Sequence, residues 1–137
     1  MVEVMIILEK GAIRIKPDPI ELNLYDELEF LLIQDVKRKD FSKELAKAKK
    51  LKWKIIFENE IPFAKATPQG TGGGGQLILT KLQAEELEQV TNMKEGERGK
   101  IKLGVAMQRG EHKYGIEIVD AETNENIEDI DPIIIIK

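Results

Sequence analysis

No cysteine occurs among the 137 residues, and only one histidine does. The first absence removes disulfides, thiolate metal sites, cysteine nucleophiles and redox relays together, though it leaves the compartment open. The second confines any imidazole acid/base chemistry to His112, beside Glu111 and Lys113. With no second His or Cys to pair with it, His112 reads as an exposed structural residue, and no catalytic residue is assigned. Long apolar runs are missing too. Nothing approaches the roughly 20 residues of a membrane-spanning helix, and Ile133 to Ile136 is strand-sized. Glu3 and Glu9 bracket an N-terminal apolar stretch too short for a signal peptide, with no basic residue ahead of it. The expectation is an intracellular or already processed chain with no membrane span; its compartment is unassigned.

What is present is charge. Charged residues make up 34% of the chain against 42% apolar, above the roughly 25% typical of soluble domains. The length suits one domain, 1–137, with a core that needs no staple. Abundant Ile, with Lys and Glu dominating the charge, leans toward a thermophilic source. The charge is also segregated: residues 37–54 carry nine Lys/Arg against two acids, and the remainder twelve against twenty-three.

Period-two alternation dominates the pattern. Val2/Val4/Ile6/Leu8, Ile13/Ile15, Ile20/Leu22/Leu24, Leu28/Phe30/Leu32, Trp53/Ile55/Phe57, Leu77/Leu79, Ile101/Leu103/Val105/Met107, Tyr114/Ile116/Ile118 and Ile133–Ile136 read as strands. Pro17-Asp18-Pro19 and Tyr25-Asp26-Glu27 read as turns. Gln108 to Glu111 reads as the turn of a hairpin joining its flanking strands. Two short helices are expected. Ser42 would cap one running to Lys50; Thr80-Lys-Leu-Gln83 has the form of a capping box for another, with Ala84, Leu87 and Val90 on one face and Gly96 at its end. Residues 60–76 are too rich in Pro and Gly for regular structure. Gly72 to Gly75 within them read as a flexible loop, with an engineered linker or a phosphate cradle as alternatives; the Lys-Ser/Thr that completes a P-loop does not follow. About nine strands separated by turns make the fold class mainly β: an antiparallel β-sandwich, cupredoxin-like or immunoglobulin-like, with one or two short helices.

The order of features resembles the cupredoxin-like β-sandwich family. The pieces that carry it are Ile15-Lys16-Pro17 with Ile20-Glu21-Leu22, Asp26 to Phe30, Trp53 to Phe57 followed by Pro62-Phe63, and Lys113 to Val119 leading to Asp131-Pro132-Ile133. Copper-binding members hold the metal with two His, a Cys thiolate and usually a Met. Here Ile118 and Val119 stand where the thiolate is expected, and the lone His112 precedes Tyr114. The resemblance therefore implies the fold of members that lack the copper ligands, with no copper and no other cofactor.

Asp120, Glu122, Asn124, Asn126, Glu128, Asp129 and Asp131 place oxygen atoms at near-alternate positions, as a calcium loop does. Glu125 occupies the place of the turn glycine, so a solvated acidic loop is expected. A non-enzymatic structural or interaction module is the expected function, assembling with itself or a larger protein particle. Its contact residues would be Lys37, Arg38, Lys39, Lys43, Lys47, Lys49 and Lys50 against Asp120, Glu122, Glu125, Glu128 and Asp129 of a neighbour, head to tail. The alternative is a module that binds nucleic acid or another anionic polymer through 37–54, opposed by the net charge of −4. An enzyme built on Glu58 or Glu60 and a second carboxylate is the remaining, weaker alternative.

Overall fold

A computed structural model describes residues 1–68 and 77–137, without the side chains of residues 68 and 77. Gly72 to Gly75 lie outside the described residues. Alternation becomes two facing sheets because each strand buries every second side chain. Numbered in chain order, the strands are β1 (Val2–Glu9), β2 (Ala12–Lys16), β3 (Ile20–Leu22), β4 (Glu27–Gln34), β5 (Lys50–Phe57), β6 (Phe63–Pro68), β7 (Leu77–Lys81), β8 (Glu88–Asn92), β9 (Arg98–Ala106), β10 (Gly110–Asp120), β11 (Asn126–Ile130) and β12 (Ile133–Ile136). One sheet runs β2-β1-β4-β9-β6-β7; the other runs β3-β12-β10-β5-β8, with β11 also beside β10. Between them lie Val4, Ile6, Leu8, Phe30, Leu32, Trp53, Ile55, Ile101, Leu103, Tyr114, Ile116, Ile118 and Ile134. The protein is a mainly β sandwich.

Most pairs are antiparallel, but β1 lies parallel to β4 and β12 parallel to β3. The first pair follows from an excursion to the other sheet. At Pro17-Asp18-Pro19 the chain leaves the first sheet, makes β3 in the second, and returns as β4 on the far side of β1. Tyr25 takes the left-handed region at φ 72° in the returning turn, where the Asp26 carboxylate accepts from the Asn23 N–H at 2.9 Å.

Five expectations need correction. β9 and β10 form no hairpin, because they belong to different sheets. β9 ends by exchanging Ala106 with the 25–26 turn (Tyr25 N–H to Ala106 C=O, 2.8 Å; Ala106 N–H to Asp26 C=O, 2.8 Å), and the chain then crosses the sandwich. The first helix, α1, is Lys43–Lys47; Ser42 Oγ does cap it, accepting from Leu45 N–H at 3.2 Å, but β5 has begun by Lys50. The second helix is a single 3-10 turn, Ala84–Leu87, whose capping box uses Gln83 and Glu86. Val90 lies in β8, 43% exposed, because Trp53 draws Thr91 inward: the indole N–H donates to Thr91 Oγ at 2.8 Å. Finally, 63–68 is a strand, and residues 126–130 of the acidic stretch after Asp120 form β11.

A bulge in β9 sets the course of β6. Leu28 pairs with Gly104 while Glu29 pairs with Lys102, leaving Leu103 as the extra residue. Leu103 belongs to the core; beyond the bulge Ala106 takes that role, and Val105 is buried outside the core cluster. Gly104 holds φ +85°, and a Cβ there would overlap the Ala64 carbonyl.

Tyr114 joins Phe30 and Phe57 in the core, with ring centroids 6.1 and 5.7 Å away, yet among the described residues its hydroxyl finds no partner. Burial raises its pKa far above the ordinary value, and the Asp18 carboxylate adds to the rise. The folded state therefore favours the neutral phenol. That stability is complete below the unfolded pKa, near 10, and is lost as pH rises past it toward the folded value, at about 1.4 kcal/mol per pH unit. Tyr114→Phe is expected to be neutral or stabilising by about 1 kcal/mol at neutral pH, since it removes an unpaired buried hydroxyl. Above pH 10 its denaturation midpoint should fall less steeply than that of wild type. Parallel alkaline limbs would show that Tyr114 ionises freely.

Candidate functional site

The basic segment begins where β4 ends. Gln34 closes that end: its backbone pairs with Gly96 and Glu97, and its buried amide donates to the Lys94 carbonyl at 2.6 Å. Val36, Leu45 and Ala48 are buried and pin the excursion to the core. Lys37, Arg38, Lys39, Lys43, Lys47, Lys49 and Lys50 all point to solvent. Among the described residues, none of these seven makes an ion pair, the nearby Asp40 carboxylate being held by Lys10 at 3.5 Å. Arg38, Phe41, Leu45, Ala46, Ala48, Met93, Lys94 and Glu95 line an open groove of about 540 Å³ here, apolar at its floor.

The turn after Asp120, with Glu122 and Glu125, lies at the same end, while Glu128 and Asp129 follow along β11 away from it. Lys49 C=O accepts from Met93 N–H at 2.9 Å, and Lys50 C=O accepts from Ala121 N–H at 3.0 Å, so the tight β10–β11 turn abuts the start of β5. Asp120 serves this turn rather than the surface. It is buried, and its Oδ1 accepts from the Glu122 and Thr123 N–H groups at 2.8 and 3.4 Å, while Asn124 adopts φ 61°. Glu122, Glu125 and Asp129 are exposed, and Glu128 is half-buried. Asp129 accepts from the Asn126 side chain at 2.9 Å. Among the described residues no ion pair joins this turn to the basic segment, although their backbones touch. The signal for each set was its local run of charge; that both occupy one end depends on the long-range pairing of β5 with β10.

Lys52 and Lys54 differ from the seven. They lie half-buried on the outer face of their sheet, where Lys54 stands opposite Glu117 on one side and Glu88 on the other. Such cross-strand neighbours offset the charge of Lys54, whereas Lys52 stands between Val119 and Val90.

Other reactive side chains do not converge on one another as closely. The His112 Nε2 lies 2.8 Å from the Gln108 carbonyl. Glu60 pairs with Lys81 at 3.8 Å. Glu58, Glu117, Asp129 and Asp131 border a shallow depression of about 560 Å³ with Lys113 and Gly115, a feature that sequence reading missed because its lining comes from four strands. Among the described residues, no group of three or more His, Asp or Glu stands at metal-ligand spacing. Among them also, no helix is long and apolar enough to cross a membrane.

No family model matches the sequence, and no curated protein does. A crystal structure of a multicopper oxidase is similar over 98% of this chain and 44% of that one, at 12% identity and a TM-score of 0.44. The chain thus spans less than half the length of that protein, and likeness at this level carries no argument about function.

Proposed function

We propose that the chain is a non-enzymatic interaction module that assembles with itself, on a cupredoxin-like sandwich of the kind that lacks the copper ligands. One observation carries the reading: seven exposed cations and an acidic turn share one end of the molecule without pairing to each other among the described residues. Because both patches are at the same end, a head-to-tail contact brings neither to its complement. Two like ends facing each other about a two-fold axis do so twice over, Lys to Glu in each direction. The module is therefore a closed charge-paired dimer at this end, in place of the head-to-tail array expected from charge segregation alone. Absence of Cys supports the copper-free assignment, since type 1 copper needs the thiolate.

Sedimentation velocity tests it. The charged end should add a salt-sensitive association step, present for wild type at low ionic strength and lost at roughly 0.5 M salt, where the Debye length falls to a few Å. A Lys47→Glu/Lys49→Glu/Lys50→Glu variant and a Glu122→Lys/Glu125→Lys variant should each dimerise at least about tenfold more weakly alone. Mixed together, they should form a heterodimer. A monomeric wild type at high concentration and low salt sinks the proposal. The same unpaired cations favour a second reading, an anionic polymer as ligand. It predicts retardation of DNA or RNA that weakens steeply with salt and disappears in the lysine variant alone.

A further inference from the structure

Among the described residues, the edge strands of the two sheets differ in their defence against edge-to-edge pairing. Charge on an edge strand discourages it. β2 carries Arg14 and Lys16, β3 carries Glu21 after Pro19, β8 carries Glu88, and β11 carries Glu128 and Asp129. β7 alone runs Leu77-Ile78-Leu79-Thr80 without a charge before Lys81, and Ile78 and Leu79 are 46% and 45% exposed on opposite faces. Its support is thin. β6 meets β9 only at Phe63 and Ala64, so among the described residues Lys65 to Pro68 pair with β7 alone. A two-stranded ribbon is marginal by itself.

Pro68 sets the phase of the free edge. Opposed residues in an antiparallel ladder alternate between pairs that exchange two hydrogen bonds and pairs that exchange none. Pro68 has no N–H, so Pro68 and Leu77 form a non-bonded pair. Counting along the register, Thr67/Ile78 and Lys65/Thr80 are bonded pairs, while Leu77, Leu79 and Lys81 turn their N–H and C=O groups outward.

We propose that β7 pairs edge to edge with β7 of a second copy, antiparallel about a two-fold axis at Leu79. Centred there, Leu79 meets Leu79 of the second copy as a hydrogen-bonded pair, and Ile78 meets Thr80. The two Lys81 residues then sit about 13 Å apart along the strands at ~3.3 Å per residue, beyond a Debye length at physiological salt. Lys81 and Lys65 are moreover tied to Glu60 and Glu86 at 3.8 and 3.7 Å within their own chain, so neither edge approaches as a bare cation. Pairing with β2 would instead oppose Lys81 to a strand carrying Arg14 and Lys16. The contact uses residues distinct from those of the charged end and does not depend on that reading. Where both operate, two different two-fold contacts on one chain propagate as an alternating array.

Sedimentation equilibrium at roughly 0.5 M salt, where the charged contact is screened, should show concentration-dependent dimers for wild type. The charge-reversal variants above should match it. Leu79→Pro removes an outward N–H while keeping the inner ladder, and Leu79→Lys charges the edge. Both should keep the wild-type circular dichroism and associate at least about tenfold more weakly. The Leu79 amide should exchange more slowly as wild-type concentration rises. A wild type that stays monomeric under these conditions, or dimers that persist in Leu79→Lys, overturn the proposal. Should Leu79→Pro fail to fold, Leu79→Lys decides alone.

Discussion

Gly104→Ala is expected to destabilise the sandwich by roughly 3 kcal/mol or more, from two separable causes. The first is conformational: at φ +85° an L side chain crowds its own backbone, which costs about 1–2 kcal/mol. The second is steric. The new Cβ would overlap the Ala64 carbonyl and approach the Lys65 Cα, so relief requires β6 itself to move. Phe63, 2% exposed, is anchored next to that point and would lose packing as β6 withdraws. Gly11→Ala is the matched control. Gly11 holds φ +78° with nothing within 4 Å of its Cβ position, so it carries the first cost only, about 1 kcal/mol. Guanidinium midpoints for both variants measure the difference, and equal losses would remove the steric account. The same substitution should speed amide exchange in β6 and β7, because Ala64 is one of the two residues tying that hairpin to β9.

The strands were legible because period two is a local property. Val4/Ile6/Leu8, Trp53/Ile55 and Tyr114/Ile116/Ile118 face the core as their alternation implies. Partnership was not legible. Ile101–Met107 and Tyr114–Ile118 are separated by an ordinary hairpin signal, yet they enter opposite sheets because Ala106 finds its partners eighty residues earlier in the 25–26 turn. The bulge at Leu103 was likewise hidden, since the sequence alternates straight through it while the structure moves the interior role from Val105 to Ala106. Helical signals were real but local. Ser42 caps its turn as expected, whereas the second box moves from Thr80/Gln83 to Gln83/Glu86 because Thr80 belongs to β7, and tertiary pairing of Lys50 and Thr91 with the second sheet stops each helix short. In the candidate site, the exposed lysines followed from a run of charge. Asp120 did not, because its two N–H partners arise only once the turn after it closes.

Trp53→Ala should be the most damaging single change, lowering stability by roughly 4–5 kcal/mol, a large part of what a domain this size possesses. The indole is 1% exposed, so truncation leaves a cavity and also strands the buried Thr91 hydroxyl, whose hydrogen bond with it spans β5 and β8. The effect reaches across the sandwich. Thr91 Cγ2 is 3.0 Å from where a Cβ on Gly99 would lie, so this residue packs β8 against β9 and helps close the side between the sheets. A double-mutant cycle separates packing from hydrogen bonding. Trp53→Phe leaves the threonine hydroxyl without its partner, and Thr91→Val leaves the indole N–H without one, each costing roughly 1–3 kcal/mol. The double variant leaves neither group unsatisfied, so its loss should fall short of the sum by about 1 kcal/mol. Because Trp53 is the lone tryptophan, the unfolding curves must be followed by circular dichroism. Strict additivity would mean that the Trp53–Thr91 hydrogen bond contributes nothing and that β8 is held by its backbone ladder alone.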